Sequence, residues 1–341
     1  MFQRALIIEI HFKILKNKYI FGGKVMSIDV ITFGEPLFLF YADEIAKLED
    51  VSTWNSALAG AETNVATGLS RLGHKTGFVT KLGDDSFGRF ISKAMAAEGI
   101  DIRNIKISSD RRTGLYLKGK TDVGDPDIEY FRAGSAASEM TLEDYDEEYF
   151  KQAKLLHFTS IFASLSESNR EFTYHVTKRM REMGKTVTFD PNIRPDLWES
   201  EEVMIETMNK LAEHADVIIP GFTEAQMLSG QESYEDVAKF YLDKGVKIVV
   251  LTEADGAYYA TKDESGFVSG YKVKVVDTVG AGDAFSVGLI SALLEDKTLE
   301  EAVLRANATG GRQVTFQGDN DGLPTPEELV QFMAETKRIS E

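Results

Sequence analysis

The sequence predicts an α/β fold: a doubly wound, mostly parallel sheet with helices on both faces and a small inserted β-sheet lid. Three observations predict it. Apolar strand-like runs alternate along the chain with segments of helical period, and strands separated by helices pair in parallel through crossovers. Two stretches, 37–58 and 112–133, break that rhythm with short strands and turn signals. Finally, 341 residues with 43% hydrophobic and 27% charged content have the composition of a globular chain with a sizeable core.

The first strand is 28–33, where Ile28 to Phe33 form a buried-type run that ends at Gly34. After the first inserted stretch come helix 62–72, strand 76–81 and helix 86–98. The second inserted stretch reads as strand Thr113 to Lys118, turn Gly124-Asp125-Pro126-Asp127 and strand Ile128 to Arg132. A lid over a site is the natural use of such an insertion. The alternation resumes with strand 155–159, helix 168–183, strand 186–190, helix 201–213 and strand 216–219. Helices 223–229 and 234–244, strand 246–251, strand 273–276 and helix 281–294 complete it.

Residues 1–25 stand apart. Their apolar runs are broken by Glu9, His11, Lys13 and Lys16, so they read neither as a signal peptide nor as a span of the ~20 apolar residues a bilayer needs. The text changes at Met26, which suggests a natural start there: Gly22-Gly23 can be encoded by a ribosome-binding sequence, with Lys24 and Val25 as spacer. A genuine N-terminal arm is the alternative. The domain is therefore placed at 26–341, and 1–25 is read as an extension that is not native or not essential.

Composition excludes whole classes of function. With no cysteine there is no disulfide, thiolate metal site or cysteine nucleophile, and a reducing, cytoplasmic location is compatible. A formal charge of −17 repels nucleic acid and anionic membrane. Anion recognition must therefore be local. The five histidines are scattered, none paired at the helical spacing that builds a metal site.

Gly114-Leu-Tyr-Leu-Lys-Gly119-Lys120-Thr121 fits the phosphate-loop pattern GxxxxGK[ST]. Context rejects it. That loop must leave a buried strand and open a helix, whereas here the intervening residues form a strand pattern and a turn follows. The segment Asp277-Thr-Val-Gly280-Ala281-Gly282-Asp283 has the right context, since an apolar helix follows it. Its glycines allow a tight turn. Amides of Gly280, Ala281, Gly282 and Asp283 at the helix N-terminus then form an anion hole, and Asp283 can take a proton from an attacking hydroxyl. An ordinary capping aspartate is the alternative.

DTVGAGDAFSVG, beginning at Asp277, resembles the second signature of the ribokinase-like (PfkB family) carbohydrate kinases, and AGAETNVATGLSRLGHKTGFVTKLGDDSFG at 59–88 resembles the first. Within that family the chain is most similar to 2-keto-3-deoxygluconate kinases, through GEP at 34–36, TGLYLKG at 113–119, YFRAGSAAS at 130–138, DPNIRPDLW at 190–198 and GDNDGLPTPEEL at 318–329. The resemblance implies a sheet of about nine strands with helices on both faces and a β lid. It implies that Gly60, Ala61, Glu62, Thr63 and Asn64 hold sugar hydroxyls, with Asp319 on another. Tyr116, Tyr130, Arg132 and Arg194 would face the acid end, and Asp283 the hydroxyl to be phosphorylated. Asn192, Ile193, Arg194, Thr252, Glu253, Ala254, Asp255 and Gly256 would line the ATP site, with Asn307 near the adenine.

Two positions depart from the family pattern. Gly221-Phe-Thr-Glu224 keeps only the carboxylate of the Asn-x-x-Glu that organises magnesium, which leaves Glu224 as an indirect, water-mediated metal contact. The nucleotide loop has Ala254 where a glycine is common. The expected cofactors are ATP as co-substrate, Mg2+, and a monovalent cation near Asp277. The expected partners are a sugar acid and a second copy of the chain, paired through the lid. Chemistry supports the acid substrate independently, because a guanidinium fork binds a carboxylate bidentately. A solvated lid position for Arg132 and a structural ion pair for Arg194 are the alternatives.

The expected activity is ATP-dependent phosphorylation of 2-keto-3-deoxygluconate. The rivals are a fructokinase or another sugar-acid kinase and, in a different class, a non-catalytic sugar sensor, which would not need Asp283. Removing residues 1–25 is expected to leave melting temperature and sugar-kinase turnover unchanged. A large fall in either, measured side by side with the full chain, would make the segment structural.

Overall fold

The computed structural model describes residues 27–122 and 126–340. The expectations for residues 1–25, for a start at Met26 and for the turn at Gly124-Asp125 fall outside the described residues.

The chain begins with β1 (Ile28–Phe33), β2 (Leu37–Ala42), β3 (Trp54–Ala59), α1 (Ala61–Arg71), β4 (Thr76–Gly83), α2 (Ser86–Ala97) and β5 (Ile105–Ser108). It continues with β6 (Leu115–Lys118), β7 (Ile128–Phe131), α3 (Glu147–Phe150), β8 (Ala153–Thr159), α4 (Ser160–Ser164), α5 (Glu167–Glu182) and β9 (Thr186–Asp190). Then follow α6 (Glu201–Ala212), β10 (Val217–Ile218), α7 (Phe222–Ser229), α8 (Tyr234–Asp243), β11 (Ile248–Glu253), β12 (Gly256–Ala260) and β13 (Ser265–Ser269). The last elements are α9 (Ala281–Leu294), α10 (Leu299–Gln313) and α11 (Pro326–Glu335).

Nine strands form the main sheet in the order β13-β12-β11-β10-β9-β8-β1-β4-β5. Every pair from β11 to β5 is parallel, and β12 and β13 add an antiparallel edge. Parallel strands covered on both faces read as unbroken apolar runs, and β1 shows why. Ile31 and Phe33 pack with Phe158, Phe189 and the helices α5 to α8 on one face. Val30 packs with Val65, Leu69 and Val287 of α1 and α9 on the other.

The two stretches that break the alternation are the lid. Strands β3-β2-β6-β7 make a separate four-stranded sheet, so the phosphate-loop pattern at 114–121 is strand β6 and its flanks, paired antiparallel to β7. Its rejection stands. Asp85 ties lid to sheet: one carboxylate oxygen caps α2 through the Gly88 amide, and the other accepts from the Thr113 amide ahead of β6.

One local expectation is corrected. No strand covers 273–276; Val275 and Val276 are more than half exposed. The sheet edge is taken by the β12–β13 hairpin, so 272–279 crosses as irregular chain, held where the Val276 amide donates to the Val314 carbonyl. The segment 252–256, expected to line the ATP site, is the end of β11 and the start of β12, joined by Ala254 and Asp255 in a two-residue turn.

Candidate active site

A cavity of about 600 Å³ opens at the carboxyl ends of the parallel strands, beneath the lid. Glu35 follows β1, Ile161 follows β8, Asp190 ends β9, Ile219 follows β10 and Thr252 lies near the end of β11. Crevices at these strand ends are where open parallel sheets bind ligands. The lid contributes Leu37, Tyr116, Lys118, Ile128, Tyr130 and Arg132, and the turn before α9 contributes Thr278 to Asp283.

The turn has the geometry that an anion hole needs. Gly280 caps α9 at φ 76°, and a Cβ there would overlap the Asp319 carbonyl, so glycine is required both by conformation and by space. The Ala281 amide is drawn into the turn, donating to the Thr278 carbonyl at 3.3 Å. Gly282 and Asp283 supply the other first-turn amides, which lack a helical acceptor.

Asp283 is buried, and burial pushes its carboxyl up to about 6. The Asn64 amide opposes that rise by donating to Oδ2 at 2.8 Å. The Asp319 charge adds to the rise and Arg194 opposes it. Asn64 is itself fixed, because Asn320 Nδ2 donates to its Oδ1 at 3.3 Å. Nearby, Asp190 is held well above the carboxylate range by burial and then by the charges of Glu224 and Asp283. Burial likewise pushes Glu62 up to about 7, against a hydrogen bond from Thr159 at 2.6 Å.

On the lid side, Arg132 donates through Nε to Glu35 Oε2 at 2.6 Å, with Nη2 2.5 Å away, and the Ser135 hydroxyl also donates to Glu35. Two arms of the expected carboxylate fork therefore hold a protein carboxylate. Tyr116 donates its hydroxyl to Asp319 Oδ2 at 2.8 Å, beneath the half-exposed Tyr130 ring. Lys118 lies 3.2 Å from Asp277 and 3.6 Å from Asp319. Asn192 Oδ1 is a buried acceptor with no hydrogen-bond donor among the described residues, and Asp319 Oδ1 has only the Lys118 ammonium, 3.6 Å away.

The sequence profile of the pfkB family carbohydrate kinases matches residues 24–326. The chain belongs to that family. It is 45% identical over 317 residues to the 2-dehydro-3-deoxygluconokinase of Bacillus subtilis, covering 92% of this chain and 98% of that relative. A solved PfkB protein from Polaromonas sp. superposes at TM-score 0.83 and 43% identity, covering 89% of this chain and 99% of the other. A double mutant of the fructokinase of Vibrio cholerae, solved with fructose, ADP and potassium, superposes at TM-score 0.80 and 28% identity, covering 91% and 100%.

In this carbohydrate kinase the cavity gathers Gly60, Ala61, Glu62, Asn64, Tyr116, Tyr130, Arg132, Asn192, Arg194, Thr252 and Asp319 with the Gly280 to Asp283 turn. It leaves out Thr63, which is fully buried in the first turn of α1. Ile193 is buried and does not line the cavity. Glu253, Ala254, Asp255 and Gly256 lie in or beside the hairpin turn, outside the lining, and Asn307 donates to the Val268 carbonyl of β13. Sequence reasoning missed Glu35, Lys118, Asp190 and Thr278. For Glu35 the neighbouring glycine was a usable signal: a Cβ at Gly34 would collide with Glu62, and one at Gly114 would sit 2.5 Å from Glu35.

Glu224 holds backbone. Its oxygens accept from the Ile193 amide at 2.8 Å and the Gly221 amide at 3.0 Å, so Gly221 needs no side chain to start α7. The donor set nonetheless fits magnesium. Asp190 and Glu224 offer carboxylate oxygens to the cavity, where Asp283 adds further negative charge. Mg2+ characteristically binds through one or two carboxylates, waters and substrate phosphates.

Arg132→Ala is expected to cost about 3–5 kcal/mol in urea unfolding, because it leaves the buried Glu35 carboxylate without its cation. The double variant Glu35→Gln/Arg132→Gln should recover most of that loss. Equal stability of Arg132→Ala and the parent would refute the pairing.

Proposed function

We propose that the chain transfers the γ-phosphoryl group of ATP to the primary hydroxyl of 2-keto-3-deoxygluconate, giving the 6-phosphate and ADP. One observation carries this reading: Asp283, buried at the first turn of α9 with its carboxyl pushed up to about 6, shares one cavity with the lid and the glycine turn. A base with that affinity for protons is ionised at neutral pH yet is strong enough to accept one in the transition state.

In the reaction the hydroxyl oxygen forms a bond to γ-phosphorus as its proton passes to Asp283 Oδ1. The bond from γ-phosphorus to the bridging oxygen breaks, and ADP leaves with that electron pair. Asn64 orients the base through Oδ2. Amides of Gly282 and Asp283, at the positive end of α9, stabilise charge on the transferring group. Asp190 and Glu224 are the residues that would hold Mg2+, which would neutralise phosphate charge. Arg194, exposed at the cavity mouth, is placed to meet nucleotide phosphate or the substrate acid. Asp319 Oδ1 offers a buried acceptor to a sugar hydroxyl. Tyr130 and the remaining Arg132 nitrogen, Nη1, face the acid end. The setting is cytoplasmic, and no helix among the described residues is long and apolar enough to cross a membrane. Exposed Tyr41, Ile128 and Phe131 on the lid suit pairing with a second copy.

A neutral-ketose substrate, as for a fructokinase, is favoured by one fact: Arg132 already spends two donors on Glu35. A coupled ADP-release assay over neutral hexoses, aldonates and 2-keto-3-deoxy acids separates the readings. The keto-acid should have the highest kcat/KM, and a preference for fructose would transfer the chain to the neutral class.

The activity of the parent should fall on the acid side with an apparent pKa near about 6, since Asp283 must be unprotonated to act. Asp283→Asn should lower turnover roughly 10²–10⁴-fold and erase that limb. A variant within about threefold of the parent would remove Asp283 from the chemistry.

A further inference from the structure

Family resemblance leads to a monovalent cation near Asp277, and the residues there do not fit one. Asp277 Oδ1 accepts the Val279 amide at 3.0 Å, and Oδ2 accepts the Gly318 amide at 3.3 Å. The carboxylate thus pins the anion-hole turn to the loop after α10. Its charge is already met, because Lys118 Nζ donates to Oδ2 at 3.2 Å and reaches Asp319 Oδ1 at 3.6 Å. Lys118 is 8% exposed, so this ion pair is shielded from solvent and salt.

The lysine arrives from the lid. Tyr116 and Lys118 are two apart on β6 and share its inner face, where Tyr116 also donates to Asp319. One lid strand therefore grips both acidic residues behind the anion hole. A second monovalent cation at Asp277 would face the ammonium at close range and be repelled.

We propose that the Lys118 ammonium is the resident cation of Asp277, replacing a monovalent metal ion and fixing the anion-hole turn against the lid. Lys118 is a positioning residue: it acts on the reaction through Asp277 and the turn. Phosphoryl transfer then has no specific need for potassium. Lys118 was not among the residues marked by the sequence, and only its turnover readout rests on the kinase reading.

The test compares potassium chloride with tetramethylammonium chloride at fixed ionic strength, in the full chain and in Lys118→Met and Lys118→Arg. For the parent, kcat and melting temperature should agree between the two salts, kcat within about twofold. Lys118→Met should lose about tenfold or more in kcat with a smaller change in KM, and potassium alone should restore part of it and raise its melting temperature. Lys118→Arg should keep the indifference to potassium. Potassium-specific activation or stabilisation of the parent overturns the proposal, as does a folded Lys118→Met that gains no potassium-specific rise in melting temperature. If Lys118→Met does not fold, the parent and Lys118→Arg decide alone. The melting arm needs no substrate, so it separates failure of this proposal from failure of the kinase reading.

Discussion

Acidic side chains crowd where the parallel strands end, and compensating them governs the rest of the site. Glu35, Glu62, Asp190, Asp283 and Asp319 are each less than 10% exposed and line one cavity. Ionised carboxylates so placed need a cation, a donor or a proton. Each finds a different one: Arg132 and Ser135 for Glu35, Thr159 for Glu62, Asn64 for Asp283, Tyr116 and Lys118 for Asp319. Asp190 accepts from the Asn192 amide, and its affinity for protons is raised by burial and two neighbouring acids.

That arrangement explains how a chain of net charge −17 can handle an anionic nucleotide. The positive end of α9 and the exposed Arg194 put positive charge at the same cavity as the acids. The same burial that is costly to the fold raises the affinity of Asp283 for protons.

The lid is more than a cover. Its strands supply Arg132, Tyr116 and Lys118, which neutralise or bond acids rooted in the main sheet and in the loops around α9. The lid and the glycine turn before α9 are therefore joined through one set of charges. Glycines make the close approaches possible, at Gly280 against Asp319 and at Gly114 against Glu35.

Much of this was legible in the residues. Alternating apolar runs and helical periods foretold the parallel sheet, because strands buried on both faces can be built only from apolar residues. The broken rhythm at 37–58 and 112–133 foretold the separate small sheet, and GAGD foretold the tight turn that opens α9, since a turn ahead of a helix is a local property of its own residues. The β12–β13 edge was missed because turn residues read alike in loops and hairpins. Long-range partners lay beyond the sequence: Arg132 meets Glu35 across 97 positions and Lys118 meets Asp277 across 159. Which cation neutralises which acid depends on how the lid folds over the strand ends. Local sequence therefore determined the elements and the turn, while tertiary structure alone decided the pairing of charges, because Coulomb energy follows distance in space and not separation along the chain.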